Sequence, residues 1–308
     1  MENIQFGKGL AQGVERSLSL IHIFSAALAA GRLSHSVLLC GEAGTGAGFA
    51  ARCLAADYLY PQGGPGAAQV LAGESAEVLT LEGEGASGEI KIDAVRAVRR
   101  EVYNTALSAQ GRVVLIRGAH KLNAASANAL LKVIEEPPEG VLFLLTAPGE
   151  AMVLPTIRSR CCAYSLAPVS VEECTRYLEE HFSDKRSCAR LASVFGGKIG
   201  SARRCLEDAQ QQSCLNDAMA LAKCAHRRDT YGAMALLSGY EKDRFGALRL
   251  LELFSNVCSA ALRGTPDIPV DAQRAAVCLP CAFSTMRAVS ANVNAKLALT
   301  NLAIRLCA

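Results

Sequence analysis

The stretch GEAGTGAG, Gly41–Gly48, follows the short apolar run SVLLC, Ser36–Cys40, and precedes the helix-like segment FAARCLAADYLY, Phe49–Tyr60. Apolar strand, glycine-rich turn and helix, in that order, are the parts of a phosphate-binding loop. Against the pattern G-x-x-x-x-G-K-[ST], the glycines fall at Gly41 and Gly46, but Ala47 stands at the lysine position and Gly48 at the hydroxyl position. Gly41, Gly44, Thr45 and Gly46 keep the backbone that can cradle an anion. The side chains that would reach the β/γ-phosphates and hold Mg²⁺ are gone, so the loop reads as vestigial.

A nucleotide hydrolase needs a second station, a carboxylate pair at the end of a later strand that serves the metal and the attacking water. The strand is present as Val113-Val114-Leu115-Ile116, and the residues after it are Arg117, Gly118, Ala119 and His120. None carries a carboxylate. Losses at both stations predict a chain that does not hydrolyse ATP by itself, with no cofactor and no metal.

Outward from this loop, the chain of 308 residues is 51% hydrophobic and 20% charged, a globular composition with room for two or three domains. Its 32 basic and 29 acidic residues leave a net charge of +3, which does not advertise a broad nucleic-acid surface. No uninterrupted apolar run approaches the roughly 18 residues that span a bilayer. LIHIFSAALAAG, Leu20–Gly31, follows Lys8 and Arg16 as a leader would, but His22 interrupts it. Val14, Leu18, Ile21 and Leu28 recur at helical spacing, so a buried amphipathic helix and a cytoplasmic location are expected. The 13 cysteines are scattered singly, apart from Cys161-Cys162 and the CLPC of Cys278–Cys281. Zinc ribbons need two such pairs, and a redox pair opens a helix after a strand, so buried thiols in a reducing compartment are expected.

The first half alternates strand and helix signals. SVLLC, EVLTLE (Glu77–Glu82), RVVLIRG (Arg112–Gly118) and GVLFLLTA (Gly140–Ala147) suit parallel strands buried on both faces. Between them lie KIDAVRAVRREVYN, apolar at Ile92, Val95, Val98 and Val102, and NAASANALLKVIEE, which halts at Pro137-Pro138. Together they predict a three-layer α/β domain over residues 1–166, with YPQGGPGAAQVLAGE, Tyr60–Glu74, as an exposed connection or small insertion. Beyond APVS the strand signals stop. Ser170 with Glu173 forms a capping-box pattern before VEECTRYLEEHF, a second helix is expected over about Lys185–Phe195, and GGKIGSARRCLED restarts a third. Three helices over 167–208 and a wholly helical region over 209–308 complete the expected organisation.

At this point the chain resembles the delta-prime subunits of bacterial DNA polymerase III clamp loaders, a branch of the AAA+ family. The resemblance rests on GRLSHSVLLCGEAGTG, on RVVLIRGAHKLNAASANALLKVIEEPPEGVLFLLTA and on LPTIRSRC. ANALLKVIEEPP (Ala127–Pro138) and TIRSRC (Thr156–Cys161) are its most specific parts, and NVNAKLALTNL is similar to the family's last collar helix. It implies an AAA+ module with a P-loop-type parallel sheet, a three-helix lid and an all-α C-terminal collar that oligomerises. It also implies that Arg160, between Ser159 and Cys161, is an arginine finger given to the ATP site of a ring neighbour. Thr146 then matches the first sensor and Arg203, in GGKIGSAR, the second, both vestigial without a nucleotide. The implied partners are gamma/tau-type motor subunits, a delta-type clamp opener and, through the assembled complex, the sliding clamp and primed DNA, with no membrane.

The chain departs from the family pattern in two places. Many members carry four zinc-binding cysteines after the loop helix, and Asp57–Val78 contains none. Members often keep an acidic residue where this chain has Arg117. Three other readings are weaker. A hydrolysing gamma/tau-type subunit requires lysine at 47 and carboxylates after Ile116. A nucleotide-independent AAA+ scaffold or DNA-binding helical protein outside replication predicts a basic face and gives no reason for TIRSRC. A stand-alone NTPase requires the missing side chains at both stations.

Overall fold

The structure is a computed structural model that describes residues 32–84, 88–103 and 111–308. The amphipathic helix expected around Val14–Leu28 lies outside the described residues. The chain divides into two compact units, Met1–Val169 and Ser170–Ala308.

The first unit is built on five parallel strands, β1 (Ser36–Cys40), β2 (Val78–Glu82), β3 (Arg112–Arg117), β4 (Val141–Ala147) and β5 (Cys162–Ser165), in the order β2-β3-β4-β1-β5. Their alternation explains the double-sided burial that the apolar runs predict. Leu38, Val114, Ile116, Phe143 and Leu145 face one side with Val95, Leu130, Val133 and Ile134. Val37, Leu39, Val113, Leu115, Leu142 and Leu144 face the other, where Ala47, Ala50, Ala51, Leu54 and Ala55 cover them. The covering helices are α1 (Ala47–Leu59) on the second face, and α3 (Ile92–Glu101) and α4 (Ala124–Glu135) on the first. Asn123 caps α4 by accepting from Ser126 N at 2.9 Å.

Two elements differ from the expectation. The Gly/Pro-rich connection contains a helix, α2 (Pro65–Ala72). Gly64 precedes it, Pro65 occupies its first turn, and Gly73 ends it at φ 82°, so the residues that read as loop punctuation are its boundary signals. The fifth strand is additional, and its short polar CAYS has neither an apolar run nor buried alternation because it lies at the sheet edge. It follows a one-turn helix, α5 (Pro155–Arg158).

The second unit is helical: α6 (Val171–His181), α7 (Lys185–Val194), α8 (Ile199–Glu207), α9 (Ala209–Arg227), α10 (Thr230–Ser238), α11 (Arg244–Leu262), α12 (Ala272–Ser290) and α13 (Ala295–Cys307). The capping box closes as the pattern predicts, with Glu173 N donating to Ser170 Oγ at 3.2 Å and Ser170 N to Glu173 Oε2 at 3.3 Å. Asp184, Asp208, Asp229, Asp243, Asp271 and Asn294 cap the helices that follow them. By length and composition α11 passes for a membrane span, but 61% of that window is buried within the unit, as in a core helix.

All 13 cysteines are free thiols. Cys278 and Cys281 are buried inside α12, and burial pushes the Cys174 and Cys258 thiols up to about 12, as expected of packing residues.

Candidate functional site

The glycine loop leaves the C-terminal end of β1 and enters α1 at the edge where parallel α/β sheets bind ligands. Gly41 N donates to Ala147 O at 2.9 Å, which ties the loop to the end of β4. Thr45 folds back, its N and Oγ1 both bonded to Glu42 O, at 3.1 and 2.8 Å. A Cβ on Gly41 would lie 2.4 Å from Thr45 Oγ1 and 3.2 Å from Leu166 O, so a side chain there would displace the Thr45 hydroxyl from this turn. Gly44 and Gly46 take φ of 88° and 98°, the left-handed region open to glycine. The loop thus keeps the backbone course of a phosphate cradle, with Ala47 and Gly48 as the first residues of α1.

The sheet register sets the remaining stations beside it. Glu82 pairs with Arg117 and Arg117 with Thr146 across adjacent strands, while Thr146 pairs with Leu39 of β1. Arg117 Nη1 bonds Glu82 Oε2 at 3.0 Å, so a cation with its own surface partner stands where a metal-binding carboxylate would be. The next residue, Gly118, has φ 82°, and its N–H donates to Thr146 Oγ1 at 3.2 Å. The hydroxyl at the first-sensor position is therefore engaged with backbone, and the position for a water-activating carboxylate has a conformation that side chains rarely adopt. His120 is held below its usual range by burial and by neighbouring Lys121.

Arg160 lies at the opposite edge. Cys162, two residues on, pairs with Val37 near the start of β1, whereas Ser165 pairs with Cys40 beside the loop. Ser36 Oγ donates to Ile134 O at 3.1 Å, which places the C-terminal end of α4 at this same lower edge. The length of β1, roughly 15 Å at ~3.3 Å per residue, separates Arg160 from its own chain's loop. Arg160 Nη1 donates to Thr156 O at 3.0 Å and to Ser159 Oγ at 3.4 Å, and Ser159 Oγ donates to Thr156 O at 3.3 Å. Arg160 Nε donates to Glu135 Oε2 at 3.1 Å. Cys161 packs against the sheet core, and burial, with Cys162 and Cys40 nearby, pushes its thiol up to about 12.

Gly41, Gly44, Thr45, Gly46, Ala47, Gly48 and Thr146 therefore gather at one edge, and Ser159, Arg160 and Cys161 at the other. Arg203 lies on α8 in the second unit, where Nε bonds Glu207 Oε1 at 2.7 Å, and that bond raises its basicity further. Sequence reasoning missed Glu135, whose partner is 25 residues away. The available signal was a carboxylate in the last turn of a helix, where the dipole disfavours it. Among the described residues, no group of three or more His, Cys, Asp or Glu side chains is placed to hold a metal ion.

Comparison with known proteins finds subunits of DNA polymerase III. The gamma/tau subunit of DNA polymerase III from Mycobacterium tuberculosis is 35% identical over 148 residues, covering 46% of this chain and 25% of that protein. The delta-prime subunit from Pseudomonas aeruginosa is 34% identical over 183 residues, 56% of this chain and 55% of that one. The chain thus spans from a quarter to about half the length of these relatives. Among solved structures, a DNA polymerase III gamma-subunit-related protein from Thermotoga maritima superposes with a TM-score of 0.55 at 20% identity, over 93% of this chain and 96% of that one, a likeness of fold. The family described as "DNA polymerase III, delta subunit" matches residues 17–170, half of the 308 residues. With its loop, its Ser-Arg-Cys turn and relatives of the delta-prime type, the chain belongs to the DNA polymerase III delta-subunit family of clamp-loader proteins.

Proposed function

We propose that this chain is a non-hydrolysing, delta-prime-type subunit of a bacterial clamp loader that gives Arg160 to the nucleotide site of a neighbouring gamma/tau-type subunit. The observation that carries this reading is the placement of Arg160 at the sheet edge opposite its own glycine loop. An arginine there is out of reach of any phosphate on that loop and is presented to whatever docks beneath the sheet. A planar cation placed at developing γ-phosphate charge is worth ~10³–10⁵ in rate. A subunit with that task must keep the strand, turn and helix that shape it, while its own lysine, hydroxyl and carboxylates serve no purpose.

In this reading residues 1–166 are the AAA+ module, 167–208 a lid and 209–308 a collar that assembles with related subunits. The partners are gamma/tau-type and delta-type subunits, with the sliding clamp and primed DNA reached through the complex in the cytoplasm. Ser159 orients the arginine through its hydroxyl, and Cys161 anchors the turn in the core. Thr146 and Arg203 are structural remnants of nucleotide sensing.

The test is DNA- and clamp-stimulated ATP hydrolysis by the reconstituted complex. Arg160→Ala is expected to assemble and melt like wild type while hydrolysis at the adjacent site falls by ~10³–10⁵-fold. Wild-type hydrolysis in an assembled Arg160→Ala complex removes the finger role, and loss of folding makes the residue structural.

A further inference from the structure

We propose that Glu135 is the positioning residue for Arg160: its carboxylate holds the guanidinium at Nε and leaves the Nη2 edge to face the neighbour's phosphate. This rests on the reading of Arg160 as a finger.

A guanidinium offers five N–H groups in one plane, so two fixed bonds determine where the others point. Glu135 Oε2 takes Nε at 3.1 Å, and Thr156 O takes Nη1 at 3.0 Å. These acceptors come from different elements, the last residue of α4 and the first turn of α5, so the plane is set by two independent supports. Among the described residues no hydrogen bond engages Nη2. The side chains of Arg160 and Glu135 are 30% and 57% exposed, so the pair sits where an incoming anion can reach it.

The position of Glu135 is poor for helix stability. It is the final residue of α4, where the helix carbonyls already concentrate negative charge, and Glu136 follows it at the cap. A carboxylate that conflicts with its own helix and has a single cationic partner across the fold is the kind of local conflict that collects at functional positions. It also keeps a long, rotamer-rich side chain ordered before the neighbour arrives, which is what preorganisation requires.

The experiment uses the complex reconstituted with gamma/tau-type subunits, clamp and primed DNA, and reads kcat and KM for ATP. Glu135→Ala is expected to lower kcat on the order of 10- to 100-fold, in the range that small misplacements of a catalytic group cost, with KM unchanged. Its melting temperature should stay level or rise, because alanine suits a helix end better. Glu135→Gln, which keeps an oxygen for Nε, should retain most of the activity. The double variant Glu135→Ala/Arg160→Ala should be no worse than Arg160→Ala alone. Wild-type or raised kcat in Glu135→Ala, where Arg160→Ala is impaired, overturns the positioning role, and so does an additive loss in the double variant. If Glu135→Ala does not assemble, Glu135→Asp, one methylene short of Nε, takes its place with the same expectations for kcat. Wild-type hydrolysis by Arg160→Ala would instead remove the finger reading itself.

Discussion

At the C-terminal edge of the sheet, Ala47, Gly48, Arg117 and Gly118 stand at stations that require lysine, hydroxyl and two carboxylates for hydrolysis. At the N-terminal edge, Arg160 is held by Glu135, Thr156 and Ser159 in one hydrogen-bonded network. The upper edge keeps its backbone and has lost its side chains. The lower edge keeps its side chains in an ordered network. Backbone course is maintained by packing of the whole unit, since β1 and α1 are buried against β4 and β5 regardless of what they bind. In the proposed reading, side chains that act only on a ligand have no such support and are kept only at the lower edge, where a neighbour's nucleotide would meet them.

The comparison breaks most visibly if the two edges respond alike to substitution. Arg160→Lys keeps the charge but not the planar fork, and should recover little of the ~10³–10⁵-fold that Arg160→Ala is expected to remove from the neighbour's hydrolysis in the proposed reading. Near-complete rescue by lysine would mean that the lower edge supplies only a diffuse positive field. Glu135 then would have no geometry to hold, and its variants should fall silent in the same assay.

Gly118→Glu sharpens the other side. A side chain at φ 82° costs about 1–2 kcal/mol in the left-handed region, and its Cβ would lie 3.2 Å from Lys121 Cδ. The variant should therefore unfold at lower denaturant concentration with an unchanged m-value, and show no ATP turnover. An unaltered midpoint would mean that the backbone there relaxes freely, and that only the side chain separates this edge from a working one.

Four of the five strands and most helix starts were legible because their signals are local. Val- and Leu-rich runs buried on both faces announce parallel strands, and Ser170 with Glu173 announces a helix start by its capping-box pattern. β5 was not legible, since an edge strand reading CAYS is defined by its hydrogen bonds to Val37–Cys40 and not by burial. α2 was hidden because its Pro and Gly boundaries are also loop formers. The glycine loop could be found by spacing and Arg160 only through the resemblance carried by TIRSRC, while the edge each occupies follows from the register of β1 with β5.

Thr146→Val tests a smaller link within the upper edge. Its hydroxyl is the acceptor for Gly118 N–H at 3.2 Å, and valine keeps the shape while removing that acceptor. A loss of about 1 kcal/mol is expected, the ordinary worth of such a bond, with no change in the neighbour's hydrolysis when the variant enters the complex. A large kinetic effect would show that this residue still senses a nucleotide and would overturn the proposed reading of it as a remnant.

The smallest effect on hydrolysis is expected from partly rebuilding the loop as Ala47→Lys/Gly48→Thr. No atom lies within 4 Å of the position a Cβ would take on Gly48, so threonine fits there, and it suits a helix better than glycine by a few tenths of a kcal/mol. Ala47 is itself buried in the cluster that covers the sheet, so a lysine stem there crowds its surroundings even if its ammonium reaches water beside the loop. Stability should thus fall by about 1–3 kcal/mol, the ordinary cost of enlarging a buried side chain, set mainly by the lysine. The double variant regains a cation beside an intact backbone cradle, so titration with a fluorescent ATP analogue should show tighter binding than wild type. Phosphate release should nonetheless stay at background, because Arg117 repels the metal ion and Gly118 supplies no base to the water. Turnover by the purified double variant would mean that charge at two positions was all the upper edge lacked, and that the strand ends, despite Arg117 and the left-handed turn at Gly118, still permit the chemistry.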